Sequence, residues 1–185
     1  MKNEIYSIIL QQSQRLILMH GYAKVTMKDI AQACEISRPT LYKMFPNKIS
    51  VLNALIEEGT KASRRDSLRI VEGEQLLSAK LEEFFEIWTV RSAVTAINSE
   101  SGHDILMNVS SYAPEAVEKH YKTFEVALTS LIKDSMKDQK ELSASDLAHI
   151  LTLAAKGLKA SSGNIKDLKR MISGLIKITV AAIEK

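Results

Sequence analysis

The sequence predicts an all-α protein, and three observations carry that expectation. The chain has only seven glycines and three prolines in 185 residues, too few to turn a β-rich chain of this length. Aromatic residues are 5% of the total while 45% of the chain is apolar, so a core can form without the aromatic enrichment of strands. The apolar residues recur at spacings of three and four rather than alternating, as in Ile165, Leu168, Ile172 and Leu175.

The first quarter resolves into three helical pieces. Residues 4 to 20 place Ile5, Ile9, Leu16 and Ile17 on a helical stripe, and Gly21 follows His20 as a C-terminal cap. Thr26 is placed to cap a second helix, "TMKDIAQA", with Asp29 three residues on in a capping-box position. After "CEI", Ser37 caps a third helix. Pro39 falls in its first turn, where a missing N–H removes no intrahelical bond. Pro46 ends that helix and Lys48 opens a fourth. Two short helices joined by a tight turn form a helix-turn-helix, the second being the element that enters a DNA major groove. On it Leu41 and Phe45 share an inward side, while Arg38, Thr40, Tyr42 and Lys43 lie elsewhere on the cylinder. A cation in a first turn opposes the helix dipole, so Lys48 invites an external phosphate as its partner.

Charge supports the same division. The formal net charge is +3, but residues 1–48 carry seven Lys/Arg against three Asp/Glu, and the rest carries 18 against 19. The first quarter therefore faces something anionic.

The run "GYAKVTMKDIAQACEISRPTLYKMFPNK" resembles the DNA-binding domain of the TetR (tetracycline repressor) family of bacterial one-component regulators. Ile9, Leu16, Ile17 and Gly21-Tyr22 match in helix one, Thr26 with Asp29-Ile30-Ala31 in helix two, and "SRPTLYKMFPNK" across helix three and the start of helix four. The resemblance covers roughly a quarter of the chain, and the remainder matches in length and helical character only. It implies that Thr26, Ser37, Tyr42 and Lys48 meet DNA phosphates and that Arg38, Thr40 and Lys43 lie nearest base edges. The chain departs from the family at Gln12 and Ser13, at Glu35 in the turn where glycine is frequent, at Pro39 and at Met44.

From residue 49 a larger helical domain is expected, making about nine helices in all. "ISVLNALIEEGTKASRRDSLRIV" reads as a long connecting helix. A fifth helix is placed at about 75–91, a broken helical region at about 92–111, a helix from Pro114 to about 138, and two more at about 144–159 and 165–184. The last two carry stripes that include Leu147, Leu151 and Leu158, and Leu168, Ile172, Leu175, Ile176 and Ile183. Helices at the chain end pair with a twofold mate in the resembled family, which implies a homodimer through these residues on a pseudopalindromic double-stranded DNA site. The resemblance also implies a pocket for a small-molecule effector of unknown identity, apolar or amphipathic. Phe84, Trp88, His103, Tyr112, Tyr121 and Phe124 are the candidates, because six of the ten aromatic residues fall between 84 and 124.

No catalytic motif appears: there is no GxxxxGK[ST], GxGxxG, HExxH or GxSxG, and the four histidines are scattered. Neither enzyme activity, cofactor nor metal is expected. A single Cys34 cannot close an internal disulfide. Apolar runs such as "LILM" are too short for a bilayer and the start lacks a secretory signature, so a soluble, cytoplasmic protein with no membrane partner is expected. The reading is thus a ligand-responsive transcriptional regulator, a repressor. The competing reading is a helical ligand-binding or interaction protein without specific DNA binding, to which Glu35 and Pro39 lend weight.

Overall fold

The computed structural model describes residues 2–136 and 141–183. All of its regular structure is helical. Nine helices follow in order among the described residues. The first four are α1 (Lys2–His20), α2 (Met27–Ala33), α3 (Arg38–Met44) and α4 (Lys48–Glu72). Helix α5 is continuous through an α segment Leu77–Phe85, a π-helical turn Glu86–Val90 and a second α segment Arg91–Ile97. Then come α6 (Gly102–Tyr112), α7 (Pro114–Ile132, continued by a 3-10 turn Lys133–Met136), α8 (Ala144–Ser161) and α9 (Ile165–Ile183). The expected ends of α7 at residues 137–138 and of α9 at residue 184 lie outside the described residues.

The caps form where the side chains dictate them. The Asp29 backbone N–H donates to Thr26 Oγ1 (3.3 Å) and the Thr26 N–H to Asp29 Oδ2 (2.9 Å), closing a capping box. Ser37 Oγ accepts the Thr40 N–H at 3.2 Å, with Pro39 in the first turn. Gly21 takes the left-handed conformation (φ 84°) and donates its N–H to the Ile17 carbonyl at 2.9 Å.

The fifth helix and the region after it differ from expectation. Rather than ending near residue 91, α5 runs on to Ile97, and the break falls at residues 98–101. The π turn lets Ile87, Trp88, Thr89 and Val90 all be buried, a run of four that a regular α-helix would distribute around its circumference. Gly102 makes the break that follows: a Cβ there would come within 1.8 Å of the Ala96 carbonyl oxygen.

Two cores result. The head core gathers Ile9, Ile17, Ile30, Leu41 and Phe45 with Val51, Leu52 and Ala54 of α4, Ala113 just before α7 and Ala116 in its first turn. The body core joins Ile70 to α5, α7, α8 and α9 around Phe84, Phe85, Trp88 and Phe124. Helices α4 and α7 thus run through both. No described helix is long and apolar enough to cross a membrane.

Candidate nucleic-acid interface and effector site

The head presents α3 on a rigid base. Leu41 (0% exposed) and Phe45 (4%) anchor it, and Tyr6 stacks on Phe45 with ring centroids 5.5 Å apart. Leu41 and Phe45 face inward as their spacing requires, which turns Arg38, Tyr42 and Lys43 outward. None of these three makes a side-chain hydrogen bond or ion pair with another described residue. Thr40 is half-buried, and its hydroxyl lies 2.7 Å from that of Ser37. The turn before α3 is closed by Glu35, whose φ of 54° is left-handed, a conformation that disfavours every residue but glycine. Asp29 is held below the usual carboxylate range by its hydrogen bonds from Thr26.

Lys48 has partners inside the protein that its place in the sequence does not reveal. Its ammonium donates to the carbonyls of Tyr22 (2.6 Å) and Val25 (2.7 Å), with a longer contact to Ala23 (3.4 Å), and lies 4.3 Å from the centre of the Tyr22 ring. Burial lowers its pKa. The cation at this first turn is therefore satisfied by loop carbonyls and an aromatic face within the protein, and no external phosphate is needed to explain it.

Tyr22 also leads to the body. Tyr112 packs on it at 4.5 Å, and the Tyr112 hydroxyl donates to Asp104 Oδ1 at 3.0 Å. Both tyrosines have raised pKa values, Tyr22 through burial and Tyr112 through the Asp104 hydrogen bond. One residue before α6, the Ser101 N–H donates to the Leu18 carbonyl (3.0 Å) and its hydroxyl to the Met19 carbonyl (3.2 Å), so the start of α6 caps the end of α1.

The six expected pocket residues do not surround one cavity. Phe84, Trp88 and Phe124 are 0–2% exposed and pack mostly edge to face, Phe84 on Phe124 at 5.2 Å and Trp88 on Phe124 at 5.5 Å, so they fill the body core. Tyr112 belongs to the joint with the head, and His103 is exposed on α6. Tyr121 borders a cleft of about 430 Å³ between α7 and α8, with the Lys156 ammonium 5.2 Å from its ring centre. The aromatic clustering between 84 and 124 served packing in three separate places.

Sequence reasoning missed a polar cluster beside that core. His120 hydrogen-bonds Thr60 of α4 at 2.8 Å. Because the Thr60 hydroxyl donates to the Ile56 carbonyl (2.7 Å), the shared proton is on His120 Nδ1. The imidazole lies 5.5 Å from the Trp88 ring and is pushed down to about 4 by burial and by Lys159, so it is neutral near pH 7. Lys159 of α8 donates to Ser92 Oγ of α5 at 2.8 Å and is lowered by burial to about 8. Trp88 Nε1, in the π turn, is buried with no hydrogen-bond partner. The pairings Thr60–His120 and Ser92–Lys159 join residues 60 and 67 positions apart, and no periodicity predicts them. Among the described residues no group of three or more His, Cys, Asp or Glu is placed to hold a metal ion.

The expected dimer stripes also move. Leu147, Leu151, Leu168, Ile172, Ile176 and Ile183 are 0–9% exposed and Leu158 and Leu175 pack against them, so all eight belong to the protomer's own core. The opposite faces stay open. Ile150 (51% exposed) and Leu153 (55%) lie on α8, and Met171 (40%) and Ile178 (72%) on α9. At Gly157 and Gly174 the space a Cβ would enter is open, with no neighbouring atom within 4 Å.

Residues 9–55 match the family model for bacterial regulatory proteins, tetR family. A segment of 49 residues is 43% identical to the HTH-type transcriptional regulator EthR of Mycolicibacterium smegmatis, covering 26% of this chain and 23% of that protein. Over nearly the whole chain the fold matches solved structures at low identity. The fatty acid degradation regulator FadR from Bacillus halodurans superposes with a TM-score of 0.75 at 16% identity, covering 92% of this chain and 93% of that one. A TetR-family transcriptional regulator from Syntrophomonas wolfei gives 0.76 at 19%, covering 98% and 97%. The head, residues 9–55, thus matches the tetR family of bacterial regulatory proteins in sequence, and the whole chain shares the fold of these solved structures.

Proposed function

We propose that the protein is a ligand-responsive transcriptional regulator, a repressor that binds a pseudopalindromic operator as a homodimer and is released by a small effector. The observation that carries this is the outer face of α3, where Arg38, Tyr42 and Lys43 are exposed without partners above a capped and buried base. Arg38, Thr40 and Lys43 read base edges; Thr26, Ser37 and Tyr42 meet phosphates, with the Thr26 and Ser37 hydroxyls serving as caps as well. Lys48 is left out of the contact set, because it holds the loop between α1 and α2.

The second copy covers the open faces of α8 and α9. Ile150, Leu153 and Gly157 recur at helical spacing on one, as do Met171, Gly174 and Ile178 on the other, and the two glycines permit close helix approach. Two heads on such a dimer meet successive major grooves about 34 Å apart. Effector binding in the body is transmitted by α4, whose Thr60 touches His120 and whose Lys48, three turns earlier, holds the head loop.

The test is binding of the purified protein to the intergenic DNA upstream of its own gene against scrambled DNA, at two salt concentrations. Tyr42→Ala/Lys43→Ala should lower specific affinity by at least about 1–3 kcal/mol, and loss of the Lys43 contact should flatten the salt dependence by about one unit of slope, with the melting temperature unchanged. Equal binding of both DNAs, indifferent to the mutations, would reject the reading. Ile178→Glu should convert the dimer to monomer in sedimentation.

A further inference from the structure

Three observations meet where α5, α7 and α8 adjoin. The Trp88 indole N–H, on a side chain 2% exposed, has no acceptor. An orphaned buried donor of this kind costs about 1–3 kcal/mol and calls for an explanation. It sits in a π-helical turn, a distortion that recurs at functional sites. Two positions past the turn, Ser92 accepts from Lys159, a half-buried ammonium whose protein partner is a neutral hydroxyl rather than a carboxylate. Two acids on neighbouring stretches are engaged elsewhere: Glu86, two residues before Trp88, pairs with Lys169 at 3.3 Å, and Asp66 of α4 pairs with Arg91, the residue before Ser92, at 2.7 Å.

We propose that this cluster seats the head group of the effector, a carboxylate that accepts hydrogen bonds from the Lys159 ammonium and the Trp88 indole N–H, with the Ser92 hydroxyl beside them. The proposal rests on the effector-responsive reading above and gives it a ligand class. Every group offered at the site is a donor or a neutral acceptor, and the single cation matches a singly charged anion. A phosphate dianion would leave a charge uncompensated in a partly desolvated place, because His120 is neutral there. A cationic head group would face an ammonium with no acid to receive it. Trp88 itself packs on Phe84 and Phe124, so what adjoins the donors is apolar, which suits a carboxylate on an apolar body.

Trp88 is the chain's one tryptophan, so its emission reports this place alone. The full-length protein is titrated with carboxylates of graded body size from benzoate to dodecanoate, and with decanol and decyltrimethylammonium, all below their micelle concentrations. At least one carboxylate should change the emission saturably and bind at least tenfold tighter than either control of matched length. Lys159→Met should weaken that carboxylate at least tenfold, and Lys159→Arg should largely retain it. The melting temperature of Lys159→Met should be equal to or above that of the wild type, since a partly desolvated cation has been removed, which separates lost binding from lost folding. The proposal is overturned if no carboxylate gives a saturable change, if decanol or decyltrimethylammonium binds as well, or if Lys159→Met binds the carboxylate unchanged. Operator binding is measured separately, so a failure of the ligand arm with specific DNA binding intact rejects the ligand class and leaves the regulator standing.

Discussion

In the head, each capping hydroxyl finds its partner within three residues: Thr26 with Asp29, Ser37 with Thr40. In the body, Thr60 meets His120 and Ser92 meets Lys159 from helices distant in the chain, and the Trp88 N–H meets nothing. The first arrangement fixes a shape, since short-range bonds form as the helices form and leave α3 with an unencumbered outer face. The second leaves energy unclaimed in the interior. The buried, unpartnered Trp88 N–H and the part-buried neutral imidazole of His120 lower the body's stability, a cost the locally satisfied head does not carry. The joint between the two, with Tyr22 between Lys48 and Tyr112, is well packed, so a change in one region is felt in the other.

The largest effect would test whether the two regions are separable. Leu41→Ala removes a fully buried head side chain and should cost about 2–5 kcal/mol. Because Ala113 and Ala116 at the start of α7 lie in the head core, Trp88 emission in the body and far-UV circular dichroism should shift together in denaturant. A head transition that moves alone would show the joint to be weaker than its packing implies.

Acid acts on the body. Between about pH 6.5 and 4 the unfolded chain protonates His120 while the folded state keeps it neutral, so stability falls as pH falls through that window, by about 2–3 kcal/mol in all. His120→Leu should flatten that part of the thermal-melt profile relative to the wild type. An unchanged slope would mean that the imidazole is not held neutral, and the contrast between the regions would lose its sharpest element.

The smallest effect concerns the one strained position in the head. Glu35→Gly relieves the left-handed conformation at the turn and should stabilise by about 0.5 kcal/mol after the added chain entropy is offset, read as a raised denaturant midpoint. Removing an acid beside α3 should also raise DNA affinity, most visibly at low salt.

Helices α1 to α4 and their caps were legible in the sequence, down to Pro39 in the first turn of α3, because caps, dipoles and the 3.6-residue period act over one or two turns. The inward placing of Leu41 and Phe45 followed from the same period. Periodicity also found the apolar stripes of α8 and α9 but could not say which neighbour covers each stripe: the strongest stripe is the one the chain buries in its own core, and the weaker opposite face is left exposed. The aromatic candidates went astray for a related reason, since composition gathers Phe84, Tyr112 and Tyr121 into one window while the fold sends them to a core, a joint and a cleft. Lys48 was read from the dipole of its own helix, and its carbonyl partners lie more than twenty residues earlier.

The sequence by itself determined the helical class and the helix-turn-helix head with its caps, all of which rest on interactions between residues close along the chain. The tertiary structure alone decided the carbonyl partners of Lys48, which apolar faces of α8 and α9 stay exposed and the cluster around Trp88, His120 and Lys159, because burial and hydrogen-bond satisfaction depend on what distant segments bring to the same place.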